Sequence, residues 1–184
     1  MRPLLALADV VERAVSRVSL ALAACLLPLL LAATVLDVLR RLLPGALGRI
    51  YALKPAQAPL FFALVMLTLG YVYLRDGHVR IDALRHRFPP RVTSAIELVG
   101  VLGFLLPLCS VLLWFGTAFA LDAWRLGETG DDLPDLPVMW LIKATIPAGA
   151  LLLALAGAVV AVRAAATLAG RPVQRARPPA GSGP

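Results

Sequence analysis

The sequence predicts an all-α integral membrane protein with four transmembrane helices, and three observations carry that prediction. Of 184 residues, 60% are hydrophobic and 16% charged, with a mean hydropathy of +0.83, outside the range of soluble globular domains. Four apolar runs lie at about 18–39, 58–74, 93–121 and 138–162, each near the roughly 20 residues that cross about 30 Å of hydrocarbon at about 1.5 Å per residue. Charge gathers between these runs. The bilayer core has no water to bond backbone N–H and C=O groups, so each run must close its own hydrogen bonds as a helix. Three parts follow: a segment 1–17, a four-helix membrane domain 18–163, and a tail 164–184.

In residues 1–17, Leu4, Leu7, Ala8, Val11 and Val15 recur at helical spacing and lead into Val18, while Asp9, Glu12, Arg13, Ser16 and Arg17 fall largely opposite. This pattern predicts an N-terminal amphipathic helix on the cytoplasmic leaflet. Extension of the first transmembrane helix into the headgroups accounts for the same residues. Asp9 and Arg13, at i and i+4, add about 0.2–0.5 kcal/mol to either arrangement. The first apolar run exceeds a signal-peptide core of roughly 7–15 residues. Asp37, Arg40 and Arg41 follow it as a stop-transfer flank, so no cleaved signal is expected.

The first loop, 42–57, carries Pro44, Gly45, Gly48 and Pro55, which favour turns. Its Ile50, Tyr51 and Leu53 suit the membrane interface. The second loop is the densest run of charge. In YVYLRDGHVRIDALRHRFPPR (71–91), Arg75, Arg80, Arg85, Arg87 and Arg91 face only Asp76 and Asp82, with His78 and His86 titratable. The third loop, 122–137, is acidic, with Asp122, Glu128, Asp131, Asp132 and Asp135 against Arg125. It suits contact with a basic partner surface, and equally a solvated connector. Trp124 and Trp140 bracket it, and Tyr71 and Tyr73 stand at the other end of the second run, as aromatic belts at two interfaces. In the last run Ala150, Ala154, Gly157, Ala158 and Ala161 form a small-residue stripe that lets another helix, of this chain or a partner, approach closely. The tail from Gly170, rich in Arg, Pro and Gly, is expected to be disordered beside anionic lipid.

A net charge of +7 would point to nucleic acid in a soluble protein. Here the cations cluster at the ends of apolar runs, so membrane lipid and no nucleic acid is the expected partner. Twelve Lys and Arg residues fall in the N-terminal segment, the second loop and the stretch after Val162 that begins with Arg163, against five at the other side: Arg40, Arg41, Arg49 and Lys54 at and in the first loop and Arg125 in the third. That asymmetry predicts cytoplasmic N- and C-termini.

Ionisable residues inside membrane spans are candidate functional groups because an unpaired charge there costs several kcal/mol. Only Asp37, Glu97 and Lys143 qualify, all near span ends. Lys143 can reach the outer headgroups or pair with Asp37, and Glu97 can reach cytoplasmic arginines. No ion or proton path through the middle is marked. Cys25 and Cys109 lie in apolar runs without a second ligand at metal spacing, and two loop histidines do not supply facing haem ligands. No catalytic constellation, broken helix pair or inverted repeat stands out. Neither a cofactor nor a metal is expected, and the pattern is that of an accessory or scaffold subunit.

Several ordered motifs resemble one family. DVLRR follows the first run, GYVYLRDGHVRIDAL the second, and W-x-x-GE…LP-x-x-W-x-IK-x-x-IP leads into the fourth. Together they are similar to the small membrane subunit, DctQ-like, of tripartite ATP-independent periplasmic (TRAP) transporters. The matching residues are Asp37 and Arg40; Gly70, Arg75, Asp76, His78, Val79, Arg80 and Asp82; and Trp124, Gly127, Glu128, Leu136, Pro137, Trp140, Lys143 and Pro147. The second run departs from the pattern at KPAQAPLFF, which has no acidic residue or tryptophan.

The resemblance implies a bacterial inner-membrane complex with a large TRAP membrane subunit and a periplasmic substrate-binding protein. It also implies sodium-driven uptake of organic acid anions, with this subunit widening the scaffold of the large one. Of the matching residues, Asp37, Arg40, Arg75, Asp76, His78, Arg80, Asp82, Trp124, Gly127, Glu128, Trp140, Lys143 and Pro147, with Glu97, are then candidate structural or partner contacts. A four-helix membrane enzyme, an electron-carrier subunit and an unrelated membrane scaffold are the alternatives.

Overall fold

A computed structural model describes residues 2–42, 53–75, 89–129 and 139–170. These form α1 (Arg2–Leu42), α2 (Leu53–Leu74), α3 (Pro90–Gly100), a π turn at Val101–Leu105, α4 (Leu106–Arg125) and α5 (Met139–Leu168). With α3, the π turn and α4 continuous, four helices are long and apolar enough to cross a membrane.

Helix α1 has 41 residues and is about 60 Å long at 1.5 Å per residue, twice the hydrocarbon thickness. The amphipathic segment and the first span are thus one helix. One seam explains the continuity: Ala8, Val15, Ser19, Ala33 and Asp37 are buried, and Leu22, Leu26 and Leu30 between them are half-buried. The spacing of three, four and seven residues is that of a helix packed along its length on another.

Helix α5 packs against every other helix, while α1 and α2 also pack on each other and α3 and α4 pack principally on α5. Its composition permits that position. Gly149, Ala150, Leu153, Ala156, Gly157, Val159, Ala164 and Ala166 are all buried, so backbones approach on several sides. At Gly149 an added Cβ would stand 2.4 Å from the Met66 carbonyl oxygen, and at Gly70 2.7 Å from that of Leu152. Each of α2 and α5 thus offers a glycine to the other's backbone. The small-residue stripe is used largely within the chain: Ala150 and Gly157 are buried, Ala154 and Ala161 half-buried and Ala158 exposed.

The π turn corrects a register. Pro107 has no N–H and its ring crowds the carbonyl four residues back. The turn ahead of it is wound wide, with the Leu106 N–H bonded to the Val101 carbonyl five residues away. Along this rod the buried residues are Ser94, Val101, Cys109, Gly116 and Ala123. Their spacing is seven residues except across the π turn, where it is eight. The extra residue is absorbed there, and both α3 and α4 keep one face on α5.

Candidate functional site

The residues that the sequence singled out meet most densely where α4 ends and α5 begins, at the expected outer end. Gly127 adopts φ +58, a left-handed conformation that glycine takes without a Cβ penalty. The Gly127 N–H then bonds the Trp124 carbonyl at 3.3 Å and the Glu128 N–H bonds the Ala123 carbonyl at 3.0 Å. This paired closure is a Schellman motif, which satisfies the last carbonyls of α4. It carries Glu128 back across the helix end toward α5.

There the Lys143 ammonium donates to Glu128 Oε2 and lies 3.8 Å from the centroid of the Phe119 ring. The ring's electron-rich face and the carboxylate together replace water around the cation. Trp124 and Trp140 stack edge to face beside it, with centroids 4.6 Å apart. One turn further in, Pro147 and Ile146 pack against Gly116, where an added Cβ would lie 3.0 Å from Ile146 Cγ2 and 3.2 Å from Pro147 Cδ. Of the two alternatives for Lys143, the outer headgroups or Asp37, neither is taken: Lys143 pairs with Glu128 over the Phe119 ring of α4, whereas Asp37 lies on α1. Asp37 Oδ2 accepts from Arg41 Nη2 at 2.9 Å, one turn away on the same helix.

A second cluster lies at the expected cytoplasmic end. Arg163 Nη2 donates to Asp9 Oδ1 at 2.7 Å and to Glu12 Oε2, tying the start of α1 to the end of α5. The Asp9–Arg13 pair expected along α1 is not made between side chains. Arg13 Nε instead donates to the Asp9 backbone carbonyl at 3.1 Å, and the carboxylate turns to the better enclosed Arg163. Arg163 had counted only among the cations after Val162. Its position one residue beyond an apolar run, level with two acids in an antiparallel neighbour, was the available signal.

The remaining candidates are dispersed. Arg75 lies over the Tyr71 ring, 5.4 Å from its centroid, and Glu97 is half-buried on α3. Asp76, His78, Arg80 and Asp82, the side chain of Arg40, and Asp131, Asp132 and Asp135 lie outside the described residues. Hydroxyls within the spans donate to their own helices: Thr34 to the Leu30 carbonyl, Thr68 to Leu64, Ser110 to Leu106 and Thr117 to Leu113. Ser19 Oγ, fully buried on α1, and Arg163 Nε have no hydrogen-bond partner among the described residues. Among those residues no three His, Cys, Asp or Glu side chains gather as a metal site. The arrangement fastens helices to one another and holds charge at the two ends.

The family model for the DctQ component of tripartite ATP-independent periplasmic transporters matches residues 30–167, from the second half of α1 to the end of α5. No match is found among curated proteins or solved structures. The family match takes in the whole outer corner, including Trp124, Gly127, Glu128, Trp140 and Lys143, and the chain belongs to the DctQ family: it is the small membrane component of a TRAP transporter, not an enzyme.

Proposed function

We propose that this subunit is a static scaffold for the large TRAP membrane subunit, in sodium-driven uptake of organic acid anions delivered by a periplasmic binding protein. The observation that carries this is the distribution of charge. No Asp, Glu, Lys or Arg occurs between Val18 and Leu36, Ala58 and Leu74, Leu98 and Leu121, or Ala144 and Val162. An anion and its coupling cation need polar or charged partners near the midplane, and this chain offers neither sign there. Substrate handling therefore falls to another chain. Asp76, His78, Arg80 and Asp82 in the second loop, with Arg40, are proposed partner or structural contacts on the strength of the family pattern alone.

The complex sits in the bacterial inner membrane with both termini of this subunit cytoplasmic, supported by the twelve-to-five distribution of cations. Cysteine labelling from either side would reverse the orientation if a Cys at position 80 reacted only with an external reagent. The scaffold role is tested in proteoliposomes supplied with a sodium gradient, the binding protein and a panel of radiolabelled organic acids. Uptake is expected only when both membrane subunits are present. Uptake by this chain alone, or undiminished uptake without it, refutes the scaffold assignment.

A further inference from the structure

Along α1, Arg13, Arg17, Leu20, Ala24, Leu27 and Leu31 are all exposed, at alternating steps of four and three residues that align them as one stripe on the helix. Its two ends differ in character. No charge occurs from Val18 to Leu36, a length of about 28 Å that matches the hydrocarbon, so Arg13 and Arg17 stand at headgroup level. From Arg17 to Leu27 the stripe runs about 15 Å, the depth of one leaflet. A phospholipid has the same order, with charge at one end and acyl chain along the rest.

Folding is what leaves the stripe cationic. Between Pro3 and Val18 the cations Arg13 and Arg17 are matched in number by the acids Asp9 and Glu12. Both acids, however, turn to α5, where Arg163 Nη2 donates to Asp9 Oδ1 at 2.7 Å and to Glu12 Oε2. Asp9 stays 57% exposed, yet it makes no side-chain pair with Arg13 one turn along. Arg13 Nε donates instead to the Asp9 backbone carbonyl at 3.1 Å, which draws that side chain toward the helix start and away from the hydrocarbon. Among the described residues no acid pairs with Arg13 or Arg17. Like charges one turn apart repel, and a phosphate between them removes that cost while accepting charge-assisted hydrogen bonds from both guanidinium groups.

We propose that this stripe binds an anionic phospholipid, with its phosphate between Arg13 and Arg17 and an acyl chain on Leu20, Ala24 and Leu27, and that Arg163 is a positioning residue that keeps the stripe cationic by holding Asp9 and Glu12. A zwitterionic headgroup brings its own cation and gains less at the two arginines. The family match begins at residue 30, so the headgroup end of the stripe lies ahead of it.

The test is native mass spectrometry of the full chain in detergent micelles, titrated with dioleoylphosphatidylglycerol or dioleoylphosphatidylcholine as the probe. Wild type should bind phosphatidylglycerol more tightly than phosphatidylcholine. Arg13→Gln and Arg17→Gln should each weaken phosphatidylglycerol binding roughly fivefold and leave phosphatidylcholine unchanged. Arg163→Gln, which frees the two acids beside the stripe, should also weaken phosphatidylglycerol binding, and adding Asp9→Asn with Glu12→Gln should restore it. Unchanged binding in both arginine variants, or equal loss of the two lipids, overturns the lipid site. A loss in Arg163→Gln that the two added substitutions fail to restore means that Arg163 acts through helix packing alone, and overturns its positioning role. Arg13 and Arg17 are exposed, so their replacement by glutamine leaves the fold intact.

Discussion

Replacing Gly149 by alanine sets two effects against each other, and the structure decides between them. Alanine in place of glycine favours a helix by about 1 kcal/mol. At Gly149, however, the new Cβ would lie 2.4 Å from the Met66 carbonyl oxygen, 2.8 Å from its carbon and 3.0 Å from Met66 Cβ. Ordinary van der Waals contact begins near 3.4 Å, so α2 and α5 must separate by about 1 Å. A gap of roughly that size forfeits a quarter to a half of each dispersion contact along the interface, and overpacking of a close-fitted core costs about 1–3 kcal/mol. The obstacle is backbone, which cannot swing aside as a side chain would. Set against about 1 kcal/mol of propensity, the clash should leave Gly149→Ala destabilised by up to about 2 kcal/mol net.

Gly100→Ala is the control, because nothing lies within 4 Å of its added Cβ; it should be neutral or slightly stabilising. Unfolding of each variant by SDS titration in mixed micelles, followed by far-UV circular dichroism, gives the midpoints. Gly70→Ala should resemble Gly149→Ala, since its Cβ would meet the Leu152 carbonyl oxygen at 2.7 Å. The double variant should fall short of the sum, because both substitutions open the same interface. A Gly149→Ala midpoint equal to wild type, or a Gly100→Ala loss of the same size, would refute the close-approach argument.

Three further outcomes are expected. Arg163→Met strands Asp9 and Glu12 beside a half-buried site and should cost about 1–3 kcal/mol, with Arg163→Lys intermediate in the same titration. Gly127→Ala forces a Cβ into φ +58, which costs about 1–2 kcal/mol; the near-UV signal of the Trp124–Trp140 stack should weaken, and less so in Gly127→Asn. Deletion of Leu102 from the π turn converts the eight-residue step between Val101 and Cys109 into seven, and should leave a folded chain. Deletion of Val111 from regular helix turns the residues beyond it by about 100°, and should abolish co-purification with the large subunit.

The four spans were legible because burial in hydrocarbon demands long apolar runs, which a sequence shows directly. The partners of charges were less legible. Lys143 was within reach of several acids, and only the left-handed turn at Gly127, a feature of three residues' backbone, brings Glu128 to it. Asp9 and Glu12 suited a leaflet surface when α1 was divided at Arg17. The seam from Ala8 through Val15 and Ser19 continues unbroken into the span, and it delivers those acids to Arg163. The small residues of α5 were visible as a stripe, but a stripe does not name its neighbour. Gly149 meets Met66 and Gly157 meets Leu105, pairings that follow from crossing positions and not from periodicity.

These internal pairings limit what the spans have left to offer. Close backbone approach is largely taken up between α2 and α5, and the hydroxyls of Thr34, Thr68, Ser110 and Thr117 are bonded to their own helices. The outward residues of α1 include Leu20, Leu27, Leu31, Val35 and Val38, and those of α4 include Leu108, Val111, Trp114 and Phe115. Within the hydrocarbon such faces supply dispersion and shape, with the Trp114 indole N–H as an added donor on the α4 side. Attraction between unlike charges is available only near the ends, from the arginine-rich second loop and the acidic third loop. Under the scaffold reading proposed above, such a subunit would distinguish its partners at its two ends and hold them by fit between, with spans that need carry neither anion nor sodium.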